Sequence, residues 1–156
     1  MKKQIAMSAI AVSLAPVVHA QALKVDHFTP DQIVARAKEL EPKAQGPDKA
    51  ASTKLDEYPN HYTMVALRHK DGGAELHENF ADIFYVVQGH ATLVTGGNIV
   101  DAKTGPAGEV RGSAVNGGEH TMLSPGDVVH IPAGLSHQLL LKDDTFVYFV
   151  IKVKEK

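Results

Sequence analysis

The sequence predicts an all-β domain, an antiparallel barrel or sandwich, preceded by a short helical arm. First, about ten short runs rich in β-branched and aromatic residues follow one another from Tyr62 onward, without an intervening helical pattern. Second, glycine pairs and prolines separate many of these runs, as is typical of turns between strands. Third, apolar residues at helical spacing occur before the strands, shortly after Thr29.

The first twenty residues have the order of a secretory signal peptide. Lys2 and Lys3 precede an apolar run from Ile5 to Val18, and small residues lead up to Ala20. The alternative is an uncut N-terminal membrane anchor, but the run is shorter than the roughly 20 residues that span a bilayer. We therefore expect cleavage after Ala20 and a periplasmic or secreted protein that has no membrane contact after cleavage.

Composition restricts what the remaining 136 residues can do. Without Lys2 and Lys3 the chain has 14 basic and 18 acidic residues, a net charge of −4, which argues against a nucleic-acid partner. The chain has no cysteine, which excludes thiolate zinc sites and thiol nucleophiles. Its length suits one domain that folds without disulfides.

Residues 21–60 are expected to form the helical arm and a linker. Thr29 is a suitable N-cap, Pro30 suits the first helical position, and Gln32 completes a capping box. The apolar residues at helical spacing are Ile33, Val34, Ala37 and Leu40. Pro42 ends the pattern, and Gln45–Pro59 is predicted to be irregular.

Residues 61–156 are expected to form the β domain. The predicted strands are Tyr62–Arg68, Ala74–His77, Ile83–Gln88, Ala91–Thr95, Asn98–Asp101, Glu109–Ala114, Glu119–Met122, Asp127–Ile131, His137–Leu141 and Thr145–Val153. Gly96-Gly97, Gly117-Gly118 and Asp143-Asp144 are predicted to turn three hairpins.

The segment from Pro125 to His137 contains the most specific motif. Its pattern Gly-x5-Pro-x-Gly-x2-His resembles the second signature motif of the cupin superfamily, and every fixed position up to His137 is met. Upstream, the stretch from Asp82 to Gly89 resembles the acidic residue, strand and glycine of the first cupin motif. That register places His77 and Glu75 at the family's His-x-His pair, and the resemblance covers roughly residues 63–150.

The resemblance implies a double-stranded β-helix, or jelly-roll barrel, with a divalent metal inside. Its predicted ligands are Glu75, His77, Asp82 and His137, where cupins usually offer three histidines and one glutamate. Glu75 and His77 are two residues apart on a strand and share a face, Asp82 begins the partner strand, and His137 comes from a second hairpin. Imidazole and carboxylate ligands suit Mn, Fe, Zn or Ni.

Each of these residues also has a structural interpretation that the sequence leaves open. Glu75 and His77 could face solvent, Asp82 could cap the turn before it, and His137 could orient its own turn. Elsewhere, an inward Arg111 could hold a carboxylate, but an outward pair with Glu109 is favoured because charged residues are rarely buried. His120 and His130 are assigned to the surface by default. The strand aromatics Phe84, Tyr85, Phe146, Tyr148 and Phe149 are assigned to packing.

Three functional hypotheses follow, because a fold alone does not choose a function. The first is a metal-centred protein that binds or acts on a small oxygen-rich molecule. The second is a metal-free module that binds a small ligand such as a sugar. The third is a structural protein with an inert pocket, and the resemblance also implies a homodimer. Whether the protein is an enzyme is left open.

Overall fold

The computed structural model describes residues 25–155, so the predicted signal peptide lies outside the described residues. Within that range no helix is long and apolar enough to cross a bilayer. The helical arm forms as predicted: α1 spans Pro30–Lys38, and Thr29 and Gln32 close the capping box reciprocally. Short 3₁₀ turns occur at Lys43–Gln45 and Pro106–Gly108.

Thirteen strands make up nearly all of the remaining regular structure in the described range. They are β1 Ala50–Glu57, β2 His61–Arg68, β3 Ala74–His77, β4 Phe80–Gln88, β5 Ala91–Thr95, β6 Asn98–Val100, β7 Lys103–Thr104, β8 Glu109–Gly112, β9 Ala114–Asn116, β10 Glu119–Leu123, β11 Val128–Ile131, β12 His137–Leu141 and β13 Phe146–Lys154. The prediction of an all-β domain with a helical arm is confirmed.

Two antiparallel sheets face each other and enclose the barrel interior. One has the order β1-β2-β13-β4-β11, and the other has the order β10-β5-β12-β3-β8-β7. A small ribbon pairs β6 with β9. Because strands that follow each other in sequence often lie in opposite sheets, residues close in the chain can meet across the interior.

The prediction of an irregular linker over Gln45–Pro59 is wrong for its central part. β1 pairs with β2 over nearly its whole length, from Ala50 opposite Arg68 to Glu57 opposite Tyr62. β1 is an edge strand rich in polar and charged residues, so it lacks the apolar alternation by which buried strands are recognised. Only Ala51 and Leu55 of this strand pack on the cluster beneath α1.

The glycine pairs make bends within a longer ribbon, so the prediction of two tight hairpins is also wrong. β5 pairs with β10, and β6 pairs with β9, which sets Gly96-Gly97 opposite Gly117-Gly118. All four glycines have positive φ. A Cβ on Gly97 would lie 2.6 Å from the carbonyl oxygen of Asn116. The two strands of the ribbon therefore come this close only because the residue at position 97 has no side chain.

Two other predicted hairpins instead connect the sheets. Asp143-Asp144 links β12 to β13, and Asn79 links β3 to β4, but neither pair of strands is hydrogen-bonded. Asp82 therefore does not lie on a strand paired with β3. It faces that strand from the opposite sheet, which is how closure of the barrel brings the two strands together.

The core has an inner and an outer part. The inner part fills the space between the sheets: Ala66, Phe84, Val86, Ala91, Leu93, Leu123, Ile131, Leu139, Phe146, Tyr148 and Val150. The outer part lies under α1, where Ile33, Ala37 and Leu40 pack on the far side of β2 and β13. Phe149 joins the outer part, whereas Tyr85 is exposed and is not part of the core.

Candidate metal centre

The polar end of the barrel interior brings together the four predicted ligands from three strands. Glu75 and His77 project from β3, and His137 from β12 lies directly opposite Glu75 in the same sheet. Asp82 projects from β4 in the facing sheet. Apart from Glu75, which is 23% exposed, these side chains are almost completely buried. The surface alternatives for His77 and Glu75 are therefore wrong.

The ligand atoms of these residues converge on a common point. His77 Nε2 lies 3.5 Å from Glu75 Oε2 and 3.5 Å from Asp82 Oδ2. His137 Nε2 lies 3.9 Å and 3.6 Å from the same two oxygens. Two ligands of one tetrahedral zinc ion lie about 3.4 Å apart, so all four separations are close to those of a ligand shell. The ligand atoms of Glu75, His77 and His137 all lie within 4.8 Å of one another.

The far side of each imidazole is held by a hydrogen bond. His77 Nδ1 donates to the Glu109 carboxylate at 2.8 Å, and His137 Nδ1 donates to the carbonyl of Leu135 at 3.1 Å. Histidines that bind metals are oriented in this way, with the second ring nitrogen on a carboxylate or backbone carbonyl. Each ring therefore directs Nε2 toward the convergence point.

One of these nitrogens has no hydrogen-bond partner. His137 Nε2 is buried and unpaired among the described residues, although buried polar groups in proteins are nearly always hydrogen-bonded. Since Nδ1 carries the proton that is donated to Leu135, Nε2 of the neutral ring presents a lone pair. A divalent cation at the convergence point would satisfy it, so the residues fit a metal ion.

The motif turn fixes the position of His137 relative to His77. Gly134 adopts φ +83°, and its N–H donates to the carbonyl of His77 at 2.8 Å. A residue with a side chain would be strained at that φ. The turn from Pro132 to Gly134 therefore connects the start of β12 to the end of β3, and this explains physically why glycine precedes the histidine.

Cations hold the outer oxygen of each carboxylate. Glu75 Oε1 pairs with Arg111 at 2.5 Å and with Arg68 at 3.5 Å, while Oε2 faces the histidines. Asp82 Oδ1 pairs with the buried Lys152, while Oδ2 faces the histidines. All four predicted ligands thus have one atom at the centre and a second atom fixed by a neighbour, as the outer shell of metal sites requires.

The pKa values of the two carboxyl groups follow from these contacts. Burial favours the neutral acids, but the hydrogen bond to His77 and the charge of Arg111 lower the pKa of Glu75 from 4.5 to about 2. For Asp82, His77 and Lys152 likewise outweigh burial and lower the pKa. Both groups are therefore carboxylates near neutral pH, the form that binds a cation.

The two histidines differ in their protonation. Burial disfavours the charged form of His77, but hydrogen bonds to Asp82 and Glu75 outweigh it and raise the pKa from 6.5 to about 9. Burial lowers the pKa of His137 and keeps this ring neutral. The metal-free centre therefore holds a proton on His77 at neutral pH, and a bound cation would displace it.

A cavity of about 1240 Å³ connects the centre to the surface. His77, Asp82 and Lys152 line its buried end, and Arg111 lines its outer part. His137 borders a small adjoining void of about 10 Å³, which shares Glu75 with the large cavity. The cavity exceeds the volume that small ligands usually occupy, so a ligand could reach the centre from outside.

Sequence reasoning missed Lys152 and the inward role of Glu109. On β13 the side chains of Tyr148 and Val150 face the interior, and Lys152 continues that row at the strand spacing of two. The alternation was therefore a usable signal. His77 and Glu109 are opposite each other on β3 and β8, a pairing that the sequence did not reveal.

The other residues in question have clear positions. Arg111 makes the predicted pair with Glu109 at 2.9 Å, but it also reaches Glu75 and lines the cavity, so the prediction of an outward side chain is incomplete. His120 and His130 are exposed on the surface, as expected. Tyr148 lines the cavity and accepts a hydrogen bond from Arg68 at 3.0 Å.

Comparison with known proteins gives matches among solved structures only. No family model and no curated protein matches the sequence. An uncharacterised protein with a double-stranded β-helix domain from Klebsiella pneumoniae is 15% identical, with a TM-score of 0.55 over 84% of this chain and 91% of that chain. The cupin domain of Cnp3 from Schizosaccharomyces pombe is 10% identical, with a TM-score of 0.52 over 69% and 66%.

A third structure is the DMSP lyase DddQ from Ruegeria pomeroyi, which is 18% identical with a TM-score of 0.50. The match covers 68% of this chain but only 47% of DddQ, so this chain spans less than half of that protein. At these identities the comparisons show the fold. The chain has the cupin fold, a double-stranded β-helix, as its motifs predict.

Proposed function

We propose that Glu75, His77 and His137, assisted by Asp82, hold a divalent metal ion, and that the protein binds or acts on a small oxygen-rich molecule at this centre. The observation that carries the proposal is the convergence of four ligand atoms, three of them on buried side chains, whose opposite atoms are each fixed by a neighbour. The unpaired Nε2 of His137 supports it.

A metal in this position would act as a Lewis acid toward an oxygen of the bound molecule. The protein itself supplies the rest of the arrangement. His77 and His137 are oriented by their Nδ1 hydrogen bonds, and the carboxylates are oriented by Arg111 and Lys152. The inner core around Phe84 and Val150 borders the cavity, so it limits the water around the ligand.

The ion pairs also favour a second candidate, a metal-free module that binds a small ligand without catalysis. Lys152 and Arg111 already place positive charge beside Asp82 and Glu75, where a metal would otherwise be the main cation. A buried carboxylate that is paired with a cation does not need a metal to balance its charge. This candidate predicts ligand binding that survives a chelator.

The location and assembly of the protein remain part of the proposal. The N-terminal pattern of Lys2, Lys3 and the apolar run before Ala20 supports export to the periplasm or secretion. The cupin resemblance supports a homodimer. N-terminal sequencing of the mature protein and analytical ultracentrifugation test these two points.

Elemental analysis and metal titration of the purified protein test the metal centre. We expect about one Mn, Fe, Zn or Ni per chain, and at least a tenfold loss of affinity in His77→Ala and in His137→Ala because each removes a ligand. His120→Ala, which changes an exposed histidine, is the matched control and should bind metal like the unmodified protein. The metal centre is refuted if the protein takes up no metal after reconstitution.

A further inference from the structure

The charges around the centre point to the class of ligand. Three acids, Glu75, Asp82 and Glu109, are paired with three cations, Arg68, Arg111 and Lys152. The six charges cancel, and the two histidines are neutral when they bind a metal. A divalent ion therefore leaves the inner end of the cavity with an excess of two positive charges, which an anionic ligand would balance.

Arg111 is placed to receive that anion. Its guanidinium lies at the cavity wall and is 53% exposed, whereas Arg68 is 18% exposed and also donates to Tyr148. A guanidinium has five N–H donors in a planar fork that suits a carboxylate, and the ion pairs of Arg111 to Glu75 and Glu109 occupy two of them. Donors therefore remain for a ligand.

A bound metal would strengthen this preference. Glu75 faces the histidines with Oε2 and the guanidiniums of Arg111 and Arg68 with Oε1. When a cation at the centre shares the charge of this carboxylate, the attraction between Glu75 and Arg111 weakens. The guanidinium is then more available to an incoming carboxylate, so metal and acid should favour each other's binding.

The outer rim limits the size of the anion. The exposed lining residues of the rim include Lys70 and Lys142 but also Asp48, Asp71, Asp143 and Asp144. Asp71 accepts a hydrogen bond from the backbone of Leu141, and Asp143 accepts one from His90, so these acids are held in place. The rim therefore does not attract a polyanion, and positive charge is concentrated inside.

We propose that the ligand is a small acid whose carboxylate binds Arg111 beside the metal, an inference that rests on the proposed metal centre. The test is calorimetry on manganese-loaded protein with two matched pairs of probes, glucuronate with glucose and lactate with lactamide. We expect at least one acid to bind tenfold or more tightly than its neutral partner. The result that overturns the proposal is a panel in which no acid binds better than its partner, including the case in which nothing binds.

Variants identify the residue responsible. Arg111→Gln should bring the acid within about twofold of its neutral partner, and Arg111→Lys should keep part of the preference because it retains charge without the fork. Arg36→Gln, which removes an exposed arginine on α1, is the matched control and should keep the full preference. A preference that survives Arg111→Gln unchanged contradicts the assignment.

The metal content of each sample separates this inference from the proposed function. Manganese retained without any acid preference contradicts the inference and leaves the metal centre standing. Manganese lost from the unmodified protein contradicts the metal centre. The affinities of the acid and its neutral partner are still compared in that sample, and equal affinities contradict the inference as well. Because Arg111 also contacts Glu75, the variants are compared at saturating manganese, with bound metal confirmed in each.

Discussion

The two ends of the barrel interior are built from the same strands but have opposite chemistry. On β4, the inward row changes from Asp82 to Phe84 and Val86, and on β12 it changes from His137 to Leu139. One end is filled by apolar side chains, and the other is filled by charged groups beside a cavity. The difference indicates that the apolar end supplies stability and that the polar end is arranged for binding.

This division has an energetic reason. Apolar burial contributes about 25 cal/mol per Å² and needs no partner, whereas a buried charge is tolerated only when it is paired. In the polar end, Asp82 has Lys152 and Glu75 has Arg111 as partners. Replacing a residue at the apolar end therefore measures lost burial, whereas replacing one at the polar end measures lost charge pairing. Two substitutions and a change of pH test the comparison.

The largest effect is expected at the apolar end. Phe146 is fully buried in the inner core, so Phe146→Ala should lower the free energy of unfolding by about 3–5 kcal/mol through lost burial and the cavity left behind. Urea denaturation of metal-free protein measures this. His137→Ala, at the polar end, serves as the comparison and should cost less, because Nε2 has no partner and the hydrogen bond from Nδ1 to Leu135 is the one bond lost. Equal losses would contradict the division.

A smaller loss is expected when the pair at the polar end is broken. Lys152→Met should destabilise metal-free protein by about 3 kcal/mol, the low end for a broken buried pair, since Asp82 would keep His77 but lose its lysine. Adding Asp82→Leu removes the remaining buried charge and should recover most of that loss. Urea denaturation of the single and double variants decides this, and a double variant less stable than Lys152→Met would show that the pair is not the cause.

The smallest effect is expected from pH. His77 has a folded-state pKa of about 9 and an unfolded value near 6.5, so its proton stabilises the fold below about pH 6.5. That stability is lost as the pH rises through 9, by about 2 kcal/mol between pH 7 and pH 9. Metal-free protein should therefore be less stable at pH 9 than at pH 7, and His77→Gln should reduce the slope.

His69 needs a separate control in that experiment. A hydrogen bond to the backbone of Asp144 and the Glu41 side chain raise the pKa of His69, so this residue contributes a slope of the same sign. His69→Gln should leave the larger part of the slope in place. If His69→Gln removes the slope and His77→Gln does not, the proton on His77 does not carry the effect.

Strands bounded by turn residues, and the motif turn itself, could be predicted from the sequence. Ala74–His77, Ala91–Thr95 and His137–Leu141 begin and end where predicted, because glycine pairs and the motif turn lie beside them. The resemblance to the cupin motifs also implied that Glu75, His77, Asp82 and His137 lie together, as the structure places them. The structure bears on where these four side chains lie. Their role as metal ligands stays a prediction.

The missed features depend on contacts that are distant in sequence. β1 is an edge strand whose polar composition hides it, and the glycine pairs have the same composition in a hairpin and in a bend. Lys152 is separated from Asp82 by seventy residues and meets it only through the pairing of β13 with β4. Pairing between distant strands is decided by the whole barrel, which local sequence patterns do not encode.

The pairing of His137 with Glu75 on one side and with Thr95 on the other places three inward positions at one level across neighbouring strands. Their spacing is maintained by backbone hydrogen bonds and does not depend on which side chains occupy them. Evolution or a designer can therefore exchange one ligand type for another along this row without rebuilding the barrel. A change of register by one residue would instead turn the row outward and remove the centre altogether.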